Sequence, residues 1–141
     1  MRIAMKNPSE ARKGGRKKDV DDSKKTILIY SPDLNLCFSL SSLFQDRYNV
    51  ITTTNAAMLE TSIKHYSADL LIVDGAPSEK MLGQLADLKR FNRNLPIIML
   101  YVYSPSTSQL ESIFRDHVDS VFYKPFDITA LSKRIGDLLS A

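Results

Sequence analysis

The chain has 141 residues, 43% of them hydrophobic and 25% charged, which is typical of one globular domain and excludes a largely disordered chain. No apolar stretch reaches the roughly 18–20 residues that a membrane-spanning helix needs, so no membrane association is expected. The single cysteine, Cys37, cannot form an internal disulfide, which favours a reducing, cytoplasmic setting. Cys37 falls among the apolar residues of a predicted helix, where a buried, unreactive thiol is expected.

The net charge of +3 is concentrated at the start of the chain. Residues 1–25 contain nine Lys or Arg and four acidic residues, whereas residues 26–141 contain ten and twelve. The first segment has no hydrophobic periodicity and is predicted to be a disordered basic tail. Such a tail can bind nucleic acid by counterion release, or it can serve only as a solubilising leader. The second interpretation is favoured because no aromatic residues alternate with the basic ones.

From residue 26 onwards, short apolar runs alternate with amphipathic segments. The first helix, for example, has Leu36, Leu40, Leu43 and Phe44 at helical spacing. The predicted strands are Thr26–Tyr30, Tyr48–Thr53, Asp69–Val73, Pro96–Tyr101 and Val118–Tyr123, and the predicted helices lie at about 32–46, 55–66, 79–92, 105–116 and 127–140. This alternation predicts an α/β domain over residues 26–141, with a flavodoxin-like, doubly wound parallel sheet in the order 2-1-3-4-5.

Two polar side chains stand at the ends of apolar runs that predict strands of this sheet. Asp74 closes the third strand, and Lys124 follows the fifth, directly before Pro125. The carboxyl ends of parallel strands form the crevice where ligands bind, so the two side chains can meet there. A carboxylate beside an ammonium indicates phosphoryl chemistry on the aspartate. No glycine-rich nucleotide-binding loop follows the first strand.

Residues 26–141 resemble the receiver domain of two-component response regulators, through Asp74, the run Lys124-Pro125-Phe126 and the apolar run Pro96–Leu100. The resemblance implies that Asp74 accepts a phosphoryl group from a histidine kinase or another phosphodonor. It also implies that Lys124 contacts the phosphoryl oxygens and that the Lys124–Pro125 peptide bond is cis. A receiver is a signalling domain and not an enzyme acting on a separate substrate. Its signalling surface, near residues 105–140 here, would bind a protein partner or a second copy of the chain.

The magnesium site that the resemblance implies is degenerate. Ser31 and Pro32 stand where receivers have two adjacent acidic residues. The remaining candidate Mg²⁺ ligands are Asp74, the backbone carbonyl of Ala76 and, one position past the missing pair, Asp33. A competing interpretation makes this segment a helix start, with Ser31 as the N-cap, Pro32 in the first helical position and Asp33 in the first turn.

The hydroxyl that binds the phosphoryl group in receivers is also altered. Tyr101 and Val102 occupy the positions of a Ser or Thr and a following small residue, and Val121 replaces the mobile aromatic of the fifth strand. The Tyr101 hydroxyl can donate a hydrogen bond to a phosphoryl group, but its ring fills the space that the group would occupy. The usual coupling between hydroxyl and aromatic is therefore not expected.

Three functional hypotheses follow from these observations. The retained Asp74 and Lys124 favour a conventional, Mg²⁺-dependent phosphorylated receiver. The missing acidic pair and Tyr101 favour a receiver that signals through protein contacts without phosphate, which is the preferred interpretation. In the third hypothesis the basic tail carries a nucleic-acid-binding function.

Overall fold

The computed structural model describes residues 21–140. Five parallel strands form one sheet in the order β2-β1-β3-β4-β5, which confirms the predicted flavodoxin-like fold. The strands are β1 (Thr26–Tyr30), β2 (Asn49–Thr53), β3 (Leu70–Asp74), β4 (Ile97–Tyr101) and β5 (Ser120–Tyr123), and the helices are α1 (Leu34–Phe44), α2 (Leu59–Tyr66), α3 (Glu79–Phe91), α4 (Ser108–Phe114) and α5 (Ile128–Ser140). Single 3₁₀ turns, Ala56–Met58 and Pro105–Thr107, precede α2 and α4. Within this range, no helix is both long and apolar enough to cross a membrane.

The first compact unit of the chain ends at Asp69. In it, β1 pairs with β2 from Thr26 opposite Asn49 to Tyr30 opposite Thr53. Helix α1 buries Cys37, as predicted, together with Leu40, Ser41 and Phe44. The predicted core face is thus confirmed at Leu40 and Phe44, whereas Leu43 is exposed.

Residues 21–25, which the sequence assigns to the basic tail, form a turn that is bonded to β2. The Asp21 amide donates to Asn49 Oδ1 at 2.9 Å, and Asn49 Nδ2 donates to the Asp21 carbonyl at 2.8 Å and to the Lys24 carbonyl at 3.2 Å. One asparagine side chain thereby attaches the turn to the sheet. The remainder of the predicted tail, residues 1–20, lies outside the described residues.

Helix α1 begins two residues later than the sequence suggested. Asp33, in an extended conformation, is the N-cap, and its side chain accepts a hydrogen bond from the Asn35 amide. The expectation that Ser31 caps the helix is wrong, because the Ser31 hydroxyl accepts from the Asp33 amide at 2.9 Å instead. Because the Ser31 hydroxyl is already bonded before the helix starts, the Asp33 carboxylate is the side chain that accepts a hydrogen bond from a backbone amide of the first turn.

The second unit begins at Leu70 and contains β3, β4 and β5 with their helices. Strands β3 and β4 are buried at every position, as expected for central strands of a parallel sheet. The start of β4 is fixed by Asp119, whose carboxylate accepts from the Ile97 amide while its own amide donates to the Ile97 carbonyl, both at 2.8 Å. Asp69 pairs with Thr26 in the same way within the first unit. In both cases an aspartate placed just before a strand is bonded, through its side chain and its own amide, to the first residue of another strand.

Candidate functional site

The Asp74 carboxylate and the Lys124 ammonium form an ion pair at the carboxyl ends of β3 and β5. Lys124 Nζ lies 2.7 Å from Asp74 Oδ1, and the two side chains are 29% and 7% exposed. The backbone holds both ends in place, since the Gly75 amide donates to the Leu100 carbonyl and the Lys124 amide donates to the Tyr101 carbonyl, each at 2.9 Å. The Lys124–Pro125 peptide bond is cis. The structure thus brings together the two residues that the sequence selected first.

Tyr101, the other candidate contact to a phosphoryl group, has its hydroxyl engaged elsewhere. Tyr101 is the last residue of β4 and is only 2% exposed. Its hydroxyl donates a hydrogen bond to the Glu111 carboxylate in α4. Its ring packs edge-on against the Tyr123 ring, with centroids 5.6 Å apart. The side chain thus joins the end of β4 to helix α4.

Glu111 is the centre of a cluster that the sequence did not reveal. Its carboxylate accepts from Tyr101, from the Tyr123 hydroxyl at 2.6 Å and from Arg115 Nε at 3.0 Å, with Arg115 also 2.9 Å away through its terminal nitrogen. A sequence signal was present: Glu111 lies three residues before the fully buried Phe114, on the inward face of α4. A carboxylate at such a position needs buried donors to offset its lost hydration.

These contacts change the pKa values of Glu111 and Tyr101 in opposite directions. Burial by itself would raise the pKa of Glu111, but the hydrogen bonds from Tyr101, Tyr123 and Arg115 outweigh burial and lower that pKa. Burial, followed by the hydrogen bond to Glu111, raises the pKa of Tyr101 well above its ordinary value. The folded protein therefore favours an ionised carboxylate beside a protonated phenol.

This cluster should make the free energy of unfolding depend on pH at both extremes. Because the pKa of Glu111 is lowered by folding, its contribution is present above the ordinary value of 4.5 and is lost as the pH falls further. Because the pKa of Tyr101 is raised, its contribution is present below the ordinary value of 10.0 and is lost as the pH rises above it. We therefore expect the stability difference between the native protein and Glu111→Gln to be largest between about pH 5 and 9.

Urea denaturation of both proteins between pH 3 and pH 11 measures this difference. A difference that stayed constant across the range would contradict an ionised Glu111 bound by protonated tyrosines.

The side chains near the implied magnesium site have other partners. In the first unit, Ser31 is fully buried and binds the Asp33 amide, Asp33 caps α1, and Pro32 is exposed between them. In the second unit, Ala76 lies in the exposed loop after β3, and the Asp74 carboxylate is paired with Lys124. Residues 21–140 contain no group of three or more His, Cys, Asp or Glu side chains that could hold a metal ion. Asp33 and Asp74 are thus each engaged with another group, and positions 31 and 32 lack the acidic pair that would add carboxylate oxygens for Mg²⁺.

No protein-family model matches the sequence, and comparison with curated proteins gives no match either. Solved structures do match. A pilus assembly-related protein from Burkholderia pseudomallei is 24% identical with a TM-score of 0.68, covering 85% of this chain and 92% of that one. A receiver-modulated diguanylate cyclase from Pelobacter carbinolicus is 25% identical (TM-score 0.66; 82% and 92% covered), and chemotaxis protein CheY4 from Vibrio cholerae is 19% identical (0.68; 82% and 98%). The chain therefore has the receiver fold that the sequence predicted.

Proposed function

We propose that this chain is a receiver-type signalling module that acts through contacts with a protein partner and does not depend on phosphorylation of Asp74. Response regulators among the structures of the same fold support a signalling role. The fold alone does not fix the mechanism, because the same fold occurs in proteins named for pilus assembly. The side chains at the strand ends therefore decide the mechanism.

The commitment of the Tyr101 hydroxyl to Glu111 carries the proposal. A phenol can donate one hydrogen bond, and in this protein Glu111 accepts that hydrogen bond. A phosphoryl group on Asp74 could recruit that proton only in competition with a carboxylate that is already ionised and bound by Tyr123 and Arg115. The hydroxyl that would report phosphorylation is therefore unavailable.

The Asp74–Lys124 pair has a structural role in this proposal. The Asp74 carboxylate is nearly buried and requires a counter-charge, which Lys124 supplies at 2.7 Å. Retention of the two residues is then explained without phosphoryl transfer.

A conventional receiver remains the second candidate, since a carboxylate beside an ammonium at a strand end is the arrangement that phosphoryl transfer to aspartate uses. In that reaction an Asp74 oxygen forms a bond to phosphorus as the bond from phosphorus to the donor breaks. Lys124 would neutralise the charge on the transferred group. This chemistry normally also requires a divalent cation, and Ser31 and Pro32 replace the acidic pair that would help to hold one.

Intact-mass measurement after incubation with acetyl phosphate, with and without Mg²⁺, separates the two candidates. We expect no gain of a phosphoryl group on the native protein under either condition. Asp74→Asn, which keeps the shape of the side chain but removes the nucleophile, and Asp116→Asn, which alters an exposed aspartate, serve as matched variants.

A gain of one phosphoryl group in the native protein and in Asp116→Asn, but not in Asp74→Asn, would overturn the proposal. It would establish Asp74 as a phosphoacceptor.

A further inference from the structure

Helix α4 is attached to the sheet through one carboxylate. Glu111, Tyr101, Tyr123 and Arg115, together termed the Glu111 clamp, connect α4 with the last residues of β4 and β5. Arg115 follows Glu111 by one helical turn and donates to its carboxylate, with half of the Arg115 side chain exposed. A seven-residue helix has few backbone hydrogen bonds of its own, so contacts of this kind decide its position.

Tyr101 links this clamp to the Asp74–Lys124 pair. Its carbonyl accepts from the Lys124 amide at 2.9 Å, while its hydroxyl donates to Glu111. A change at the strand ends can therefore reach α4 through Tyr101, or through Tyr123 directly before Lys124, but only if the hydroxyl changes its acceptor. With Glu111 ionised and bound by three side chains, that change is unfavourable.

We propose that the Glu111 clamp locks helix α4 against the ends of β4 and β5, so that this face of the protein has one conformation whether or not Asp74 carries a phosphoryl group. The inference rests on the proposed function and supplies its mechanism, since a locked face can be recognised by a partner without a phosphorylation signal. Val102 and Tyr103 connect β4 to the turn before α4 and are 66% and 47% exposed. Movement of α4 would therefore displace side chains that lie on the protein surface.

Hydrogen–deuterium exchange measured by mass spectrometry, without any phosphodonor, tests the lock. Glu111→Gln keeps the size of the side chain but removes its charge, and we expect amide exchange in residues 108–114 to become at least about tenfold faster. Tyr101→Phe keeps the ring in the core and removes only the hydroxyl, so the same segment should exchange faster by a smaller factor. This second variant retains the test if Glu111→Gln fails to fold.

Tyr103→Phe is the matched control. Tyr103 contacts the Tyr123 ring at a centroid distance of 5.3 Å, and its hydroxyl makes no hydrogen bond with residues 21–140, so exchange in α4 should stay at the native rate. Residues 70–74 of β3 provide the internal reference. Unchanged exchange in residues 108–114 of both clamp variants, or an equal increase in residues 70–74, would overturn the lock, because a local release should affect α4 alone.

The exchange experiment tests the lock whether or not Asp74 can be phosphorylated. If acetyl phosphate modifies Asp74, the proposed function fails, but the exchange result still decides the lock. In that case we also expect the amides of α4 to exchange at the same rate in the modified and the unmodified protein. A difference between the two rates would overturn the lock.

Discussion

Glu111→Leu is expected to lower the free energy of unfolding by about 2–3 kcal/mol, because it leaves the buried Tyr101 hydroxyl without its acceptor. Tyr101 is 2% exposed, so water cannot readily take the place of the carboxylate. Tyr123 and Arg115 are more exposed and can be rehydrated, so they add little to the loss. Urea denaturation at pH 7 measures the change in the free energy of unfolding. A loss below about 1 kcal/mol would contradict a buried hydrogen bond between Tyr101 and Glu111.

A second substitution shows where that loss originates. Adding Tyr101→Phe to Glu111→Leu removes the orphaned hydroxyl, so the double variant should recover about 1–2 kcal/mol relative to Glu111→Leu alone. Tyr101→Phe in the native background should instead destabilise, because Glu111 then loses one of its donors. Additive effects of the two changes would mean that the hydrogen bond contributes nothing.

Lys124→Met is expected to lower the free energy of unfolding by about 2 kcal/mol in the absence of Mg²⁺, since the nearly buried Asp74 carboxylate then loses this counter-charge. Methionine keeps much of the apolar stem, so the change reports mainly on the lost charge. The loss should be below the roughly 3–5 kcal/mol of a fully buried pair, because the Lys124 side chain is 29% exposed. For a domain of this size, thermal denaturation should show a melting temperature lower by about 6–10 °C.

Lys133→Met is the matched control, because Lys133 pairs with Asp137 at 3.3 Å while both side chains are largely exposed. It should change stability by less than about 0.5 kcal/mol. Asp74→Asn combined with Lys124→Met should be more stable than Lys124→Met alone, since the buried carboxylate that Lys124 had paired with is replaced by a neutral amide. Equal melting temperatures for the native protein and Lys124→Met would rule out a structural pair.

The sequence by itself determined the fold and the ion pair. Alternating apolar runs and amphipathic segments predicted the parallel sheet, because both patterns are local and periodic. The polar residues Asp74 and Lys124 were identifiable because each closes an apolar run that predicts a strand, and the ends of parallel strands lie along one edge. Element boundaries were less accurate: the sequence started β5 at Val118, whereas the strand begins at Ser120.

Only the tertiary structure decided what the hydroxyl of Tyr101 does and how α1 begins. Glu111 lies ten residues from Tyr101 and twelve from Tyr123, in different elements, so no periodic pattern connects them. Ser31 and Asp33 are both good capping residues, and only the backbone path shows which hydroxyl or carboxylate faces the first turn of the helix. Periodicity reveals which face of an element is buried, whereas the partner of a buried polar group depends on how separate elements pack.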